Sequence, residues 1–246
     1  MKIHGTAKGG AESKKDFGVA FSAAGGGSGC FFDADFSSTS GWTEMDDTYI
    51  DIDTATEQLD VNCQTDGSID NAYYTLSEAL SESAWNLRWT FHFTTITGDS
   101  TPDSGWQMSL ARQGNLGGNC YNGCVSGLSG DSVGASLKWN IRSGGKNRAQ
   151  FFSTGGSASL GTNDKVSAGN TYYMEIIYDD GDCTFNLRED DFTTSPIETL
   201  TTSGSALTEI DTVAIRNDNA TASGTQNTLI GYITEIKINN GSTDPC

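Results

Sequence analysis

Trp85-Asn-Leu-Arg-Trp-Thr-Phe-His-Phe93 decides the fold class. Trp85, Leu87, Trp89, Phe91 and Phe93 share one face of an extended chain, and Asn86, Arg88, Thr90 and His92 share the other. A period of two means a long strand with one face in a core. The pattern recurs outward in both directions. Thr48 to Asp53 and Gln58 to Asn62 alternate closely enough to predict a hairpin, and Trp106/Met108/Leu110 and Leu137/Trp139/Ile141 alternate further on. Tyr172–Tyr178, Cys183–Leu187, Thr212–Arg216 and Leu229–Ile238 read as later strands, with Asp179-Asp-Gly-Asp182 as the tight turn between the first two. Only Leu76–Ser83 reads as helical, over one or two turns. About a dozen strands without alternating helices predict an all-β, two-sheet antiparallel sandwich.

Composition agrees. Gly 30, Thr 29, Ser 27 and Asn 16 make 102 of 246 residues, a balance of strand formers and turn formers. The 32 acidic and 14 basic side chains give a net charge of −18, which argues against nucleic acid as a partner, since phosphate binding needs clustered Lys and Arg. No apolar run has the length of a membrane span, so no membrane insertion is expected.

The charge is uneven. Residues 1–29 carry Lys2, Lys8, Lys14 and Lys15 against Glu12 and Asp16, a net +2, which leaves −20 on residues 30–246. The first segment lacks the apolar core of a secretory signal and ends in Gly25-Gly-Gly-Ser-Gly29, a flexible composition. It reads either as a plain disordered end or as a docking peptide in which Ile3, Phe17, Val19 and Phe21 engage a larger assembly. Residues 30–246 read as one domain.

Six cysteines allow 15 complete pairings. Cys30 and Cys246 bracket the proposed domain and Cys120 and Cys124 flank a short Gly/Asn loop, so these two pairs are the disulfide candidates. One close Cys pair without paired His is a poor zinc set. Disulfides imply an oxidising destination, an extracellular surface or a virion exterior.

Phe31-Phe-Asp-Ala-Asp-Phe-Ser-Ser-Thr-Ser-Gly-Trp42, Ala168 through Leu187, and Ile230 through Ile238 resemble the opening strand and turn, the central hairpin and the closing strand of the concanavalin A-like lectin/glucanase superfamily, laminin-G-like domains included. The resemblance spans about residues 30–246 and implies a jelly roll. The segment Lys2–Phe21 also resembles the start of uncharacterised proteins of marine archaea and their viruses, which would suggest a shared attachment tag.

Enzymatic work is not expected. The related glucanases carry Glu-x-Asp-x-x-Glu or a close variant on one strand, and no such run occurs; Glu44-Met-Asp46 lacks a third acid, and Asp51 and Asp53 suit a solvated face. Sugar binding needs aromatic faces and planar polar groups. Trp85, Trp89, Trp106 and Trp139 sit on core-type faces, whereas Trp42, beside Gly41 in a turn, has less reason for burial. With it, Arg88, His92, Gln107, Asn140 and Arg142 form the candidate glycan set, expected to converge on one sheet surface and to favour acidic or hydroxyl-rich glycans. No cofactor is required; the resemblance implies a structural Ca²⁺, for which Asp33, Asp35, Asp179, Asp180 and Asp182 are the candidates. Asn219-Ala-Thr221 and Asn240-Gly-Ser242 fit the N-glycosylation pattern.

The expected function is therefore non-catalytic surface recognition of a glycan or surface glycoprotein, with the tail holding the domain to an envelope or virion and homo-oligomerisation left open. A virion decoration protein without sugar binding is the runner-up, and a glycoside hydrolase of the same fold the third reading.

Overall fold

A computed structural model describes residues 29–44, 49–64, 70–97, 104–112, 132–140, 146–154, 159–203, 206–219 and 228–246. Among them are fifteen strands and no helix. In chain order these are β1 (Phe32–Ala34), β2 (Trp42–Glu44), β3 (Ile50–Asp53), β4 (Gln58–Gln64), β5 (Asn71–Thr75), β6 (Ala84–Thr97), β7 (Ser104–Ala111) and β8 (Ser132–Asn140). They continue as β9 (Lys146–Ser153), β10 (Ser159–Leu160), β11 (Thr171–Asp179), β12 (Asp182–Arg188), β13 (Glu198–Ser203), β14 (Thr212–Asn219) and β15 (Thr228–Asn240).

Two antiparallel sheets result. The first runs β13-β12-β11-β6-β15-β4-β3, with β1 paired to β15 beyond the end of β4; the second runs β10-β9-β8-β7-β14-β5-β2. Most neighbours are far apart in sequence, which is the crossing pattern of a jelly roll rather than a meander. The tight turn at Asp179–Asp182 forms as the sequence predicts, with Asp180 and Gly181 both at positive φ. The β3–β4 hairpin also forms.

Alternation explains the core between the sheets. The five apolar side chains of Trp85–Phe93 are fully buried, as are Trp106, Met108 and Leu110 of β7 and Val213 and Ile215 of β14. Phe91 of the first sheet stacks on Trp106 of the second with centroids 4.3 Å apart, and Phe151 of β9 meets Phe185 of β12 at 5.9 Å. Each such pair contributes roughly 0.5–1.5 kcal/mol beyond area burial.

Two sequence readings change here. Leu76–Ser83 is not helical. The amides of Leu76 and Leu80 donate instead to the carbonyls of Asp211 and Ile210, so the segment is tied to the chain before β14 while both leucines enter the core. The helix-like spacing of those leucines reflects two anchor points, not a helical face. β5, β9 and β13 also form without having been expected; in β9 Phe151 and Phe152 are both buried, so no alternation shows.

The segments before β1 and after β15 are joined. Cys30 and Cys246 form a disulfide across 216 residues with Cα atoms 5.3 Å apart, and the Phe31 amide donates to the Ile238 carbonyl at 2.9 Å. Cys63 and Cys183 are buried. Burial and the neighbouring Asp182 charge push the Cys183 thiol up to about 12, against a smaller lowering by the Ser153 hydroxyl, which leaves it unreactive at neutral pH. Cys120 and Cys124 lie outside the described residues, as do Ile3, Phe17, Val19 and Phe21 of the tail.

Candidate functional site: an aromatic cleft where the chain changes sheets

β1 belongs to the first sheet and β2 to the second, so residues 35–41 carry the chain across one end of the sandwich. A cleft of about 390 Å³ opens along this crossing. Its deep aromatic residues are Phe32 and Phe36, both buried, and its half-buried rings are Trp42 and Tyr74. Trp42 and Tyr74 are register partners on β2 and β5, which fixes their rings at 5.6 Å and 67°. Phe36 lies 5.6 Å from Trp42, and Phe32 4.9 Å from Tyr74.

The exposed part of the cleft is polar. Asp35, Ser37, Ser38 and Ser40 line it. Ser37 donates to Asp35 Oδ1 through its amide at 3.1 Å and its hydroxyl at 2.8 Å, an Asx turn that sets the loop and holds the carboxyl below the usual aspartate range. The Ser40 amide donates to Ser38 Oγ, and the Trp42 amide to the Thr39 carbonyl. Gly41 completes the turn at φ +86°, and a Cβ there would lie 2.4 Å from Tyr74 Cε2. Only glycine lets that ring close against the backbone.

Among the described glycan candidates, Trp42, Arg88, His92 and Gln107 do not share one surface. Arg88 and His92 lie on the outer face of the first sheet, whereas Gln107 is on β7 of the second and has no exposed surface. Asn140 ends β8, paired with Lys146, and Arg142 is outside the described residues. Sharing polar strand faces was not enough, because the strands belong to different sheets. Among the described candidates Trp42 alone lines the cleft. Trp42, singled out in the sequence because it follows a turn glycine, is half-buried; Phe36 and Tyr74 carried no such signal, since Tyr74 arrives through long-range pairing.

Arg88 is committed elsewhere. Its Nε donates to Glu175 Oε1 at 3.1 Å, and its guanidinium lies 4.4 Å from the Phe192 ring centroid. Glu175 also accepts from the amides of Asn86 (2.9 Å) and Asn186 (3.2 Å), and Arg188 Nη1 lies 3.0 Å from Oε2 as an ion pair without hydrogen-bond alignment. Burial pushes the Glu175 carboxyl up, but the two amides and two guanidinium groups outweigh it and hold it below the usual range. Arg188 Nε donates to the Thr194 carbonyl, so the network also fastens residues 189–197 over the sheet. This is an organising cluster rather than an open groove. His92 has Nδ1 2.9 Å from Thr171 Oγ1 and stacks on Tyr232 at 4.9 Å.

The calcium candidates separate as well. Asp33 and Asp35 lie at the cleft, while Asp179, Asp180 and Asp182 form the β11–β12 turn. Among the described residues no group of three or more His, Cys, Asp or Glu could hold a metal ion.

The architecture recurs in solved structures. The lectin UEA-II complexed with galactose matches with a TM-score of 0.56 at 14% identity, over 85% of this chain and 98% of that one. The fold is the concanavalin A-like jelly roll. The exoplasmic/lumenal domain of VIP36 in its Ca²⁺/Man-bound form matches with a TM-score of 0.52 at 9% identity, over 81% of this chain and 83% of that one. A sialidase matches with a TM-score of 0.54 at 12% identity over 87% of this chain, which spans only 19% of that protein's length. No family model and no curated protein matches the sequence. Among the described residues no helix is long and apolar enough to cross a membrane.

Proposed function

We propose that the domain is a non-catalytic glycan-binding module and that the cleft at residues 31–42 and 74 takes the sugar. The observation that carries this is the pairing of two half-buried rings, Trp42 and Tyr74, with an exposed edge of carboxylate and hydroxyl groups. A pyranose presents an apolar face to stack on a ring and hydroxyls to meet Asp35 and the serines. The lectins that share the fold support the reading at the level of architecture. The disulfide suits an exported or surface location. Residues 1–29, basic and glycine-rich, would hold the domain to an envelope or virion.

A glycan array probed with the full chain tests this. Binding is expected to a restricted set of glycans and to fall about two- to tenfold in Trp42→Ala, the loss of one stacking face. Removal of residues 2–24 should abolish surface association while sparing sugar binding. An array with no bound glycan at high protein density defeats the reading.

A further inference from the structure

The cleft has an unusual electrostatic make-up for a generic sugar site. Among the described residues its lining includes no Lys, Arg or His. It does include two carboxylates, and they are not equivalent. Asp33 is half-buried and stands opposite Lys237 in the β1–β15 register, although the Lys237 ammonium donates to Glu235, whose hydrogen bond is the main cause that raises it, with Asp33 adding a smaller attraction. Asp35 is exposed, and both Ser37 donors go to Oδ1; among the described residues no hydrogen bond goes to Oδ2. One fixed, ionised oxygen is therefore presented beside aromatic groups.

Aromatic rings at large mutual angles add to this. Trp42 and Tyr74 stand at 67°, Phe32 and Trp42 at 60°, and Phe36 and Trp42 at 41°. Trp42 and Tyr74 are half-buried and line the same cleft as Asp35, and an aromatic ring attracts a cation as well as stacking on a sugar. The surrounding domain carries −20, so an approaching cation is also drawn in, and uronic or sulfated chains are repelled. That reverses the preference for acidic glycans expected from the arginines, since Arg88 is occupied by Glu175 and Phe192.

We infer that the sugar taken by the cleft carries a free amino group, held as an ammonium by the Asp35 carboxylate and the ring faces of Trp42 and Tyr74. The inference rests on the cleft being the sugar site and names the class of sugar. Neutral glycans can use the rings but leave Asp35 with water, and N-acetylation removes the charge and adds bulk.

Calorimetric titration of the full chain with a glucosamine tetrasaccharide, its fully N-acetylated counterpart and a galacturonate tetrasaccharide tests it. The amino form should bind about tenfold tighter than the acetylated one, the combined effect expected of one exposed ion pair and one cation–ring contact, with galacturonate weakest. Asp35→Asn, which keeps the acceptor for Ser37, should cut that ratio to about twofold. A ratio that persists in Asp35→Asn reflects the bulk charge of the domain and overturns the inference, as does equal or tighter binding of the acetylated sugar. If Asp35→Asn does not fold, the wild-type ratio must shrink as salt is raised, and a salt-independent ratio overturns the inference. Binding of the acetylated sugar without preference defeats only the inference, whereas no binding of any of the three, with an empty array, defeats the sugar site too.

Discussion

Gly41 shows how a single position makes the cleft. Its φ of +86° and the Tyr74 ring against it leave no room for a methyl group. Gly41→Ala is expected to cost about 1–3 kcal/mol, through the strained backbone and the displaced ring. Thermal melting should show the loss and sugar titration a weakened site; unchanged melting and binding would mean that Tyr74 does not need this approach. Trp42 was legible from the sequence because a turn glycine precedes it. Phe36 was not, since nothing in Asp35-Phe36-Ser37 marks a phenylalanine at φ +57° that is nonetheless 1% exposed.

Among the elements, strands with one polar face declared themselves. β6, β7, β11, β12 and β15 were read near their observed places because alternation runs through most of each, although β15 changes phase between Ile233 and Ile236. β9 failed to show for the opposite reason, having Ala149 and Phe151 on the core side and Gln150 and Phe152 on the other, all buried. Polar residues on strands also proved ambiguous about destination. Arg88 and Gln107 looked alike, yet one enters the Glu175 network and the other is shut within the second sheet's outer layer.

The Glu175 network binds β6, β11 and β12 to one another and to the connection before β13. Glu175→Ala leaves two guanidinium groups and two amides without their shared acceptor and should destabilise the protein by about 3–5 kcal/mol in chemical denaturation. The sign of the pH effect follows from a carboxyl lowered on folding. Its stabilisation is fully present above the ordinary value of 4.5 and is lost as pH falls through the lower folded value. Glu175→Gln should therefore flatten the acid limb of stability against pH relative to wild type. An identical acid limb in both proteins would place the titration elsewhere.

At the scale of the molecule, the sandwich is closed by covalent as well as apolar contacts. A bridge spanning 216 residues removes much of the freedom of the unfolded chain, so Cys30→Ser with Cys246→Ser should lower stability by about 3–5 kcal/mol. Equilibrium denaturation of the pair variant checks this, and wild type with reductant should shift in the same direction. A change below about 1 kcal/mol would assign the closure to β1–β15 pairing alone. The sandwich itself was legible from alternation, whereas the juxtaposition of β1 and β2 on different sheets, which creates the cleft, was not, because it depends on which distant strands each one meets.

The bridge also sets a mechanical route. The tail joins the domain at Gly29, the cleft begins at Phe31, and Cys30 between them is linked to Cys246 beyond β15. A pull on a sugar held in the cleft, resisted by an anchored tail, would travel through a few residues near Cys30 and be shared between β1 and the segment after β15. Because Cys30 is bonded to Cys246, part of that load would be carried covalently, and a tethered domain would bear tension at its ligand without relying on the β1–β15 hydrogen bonds alone.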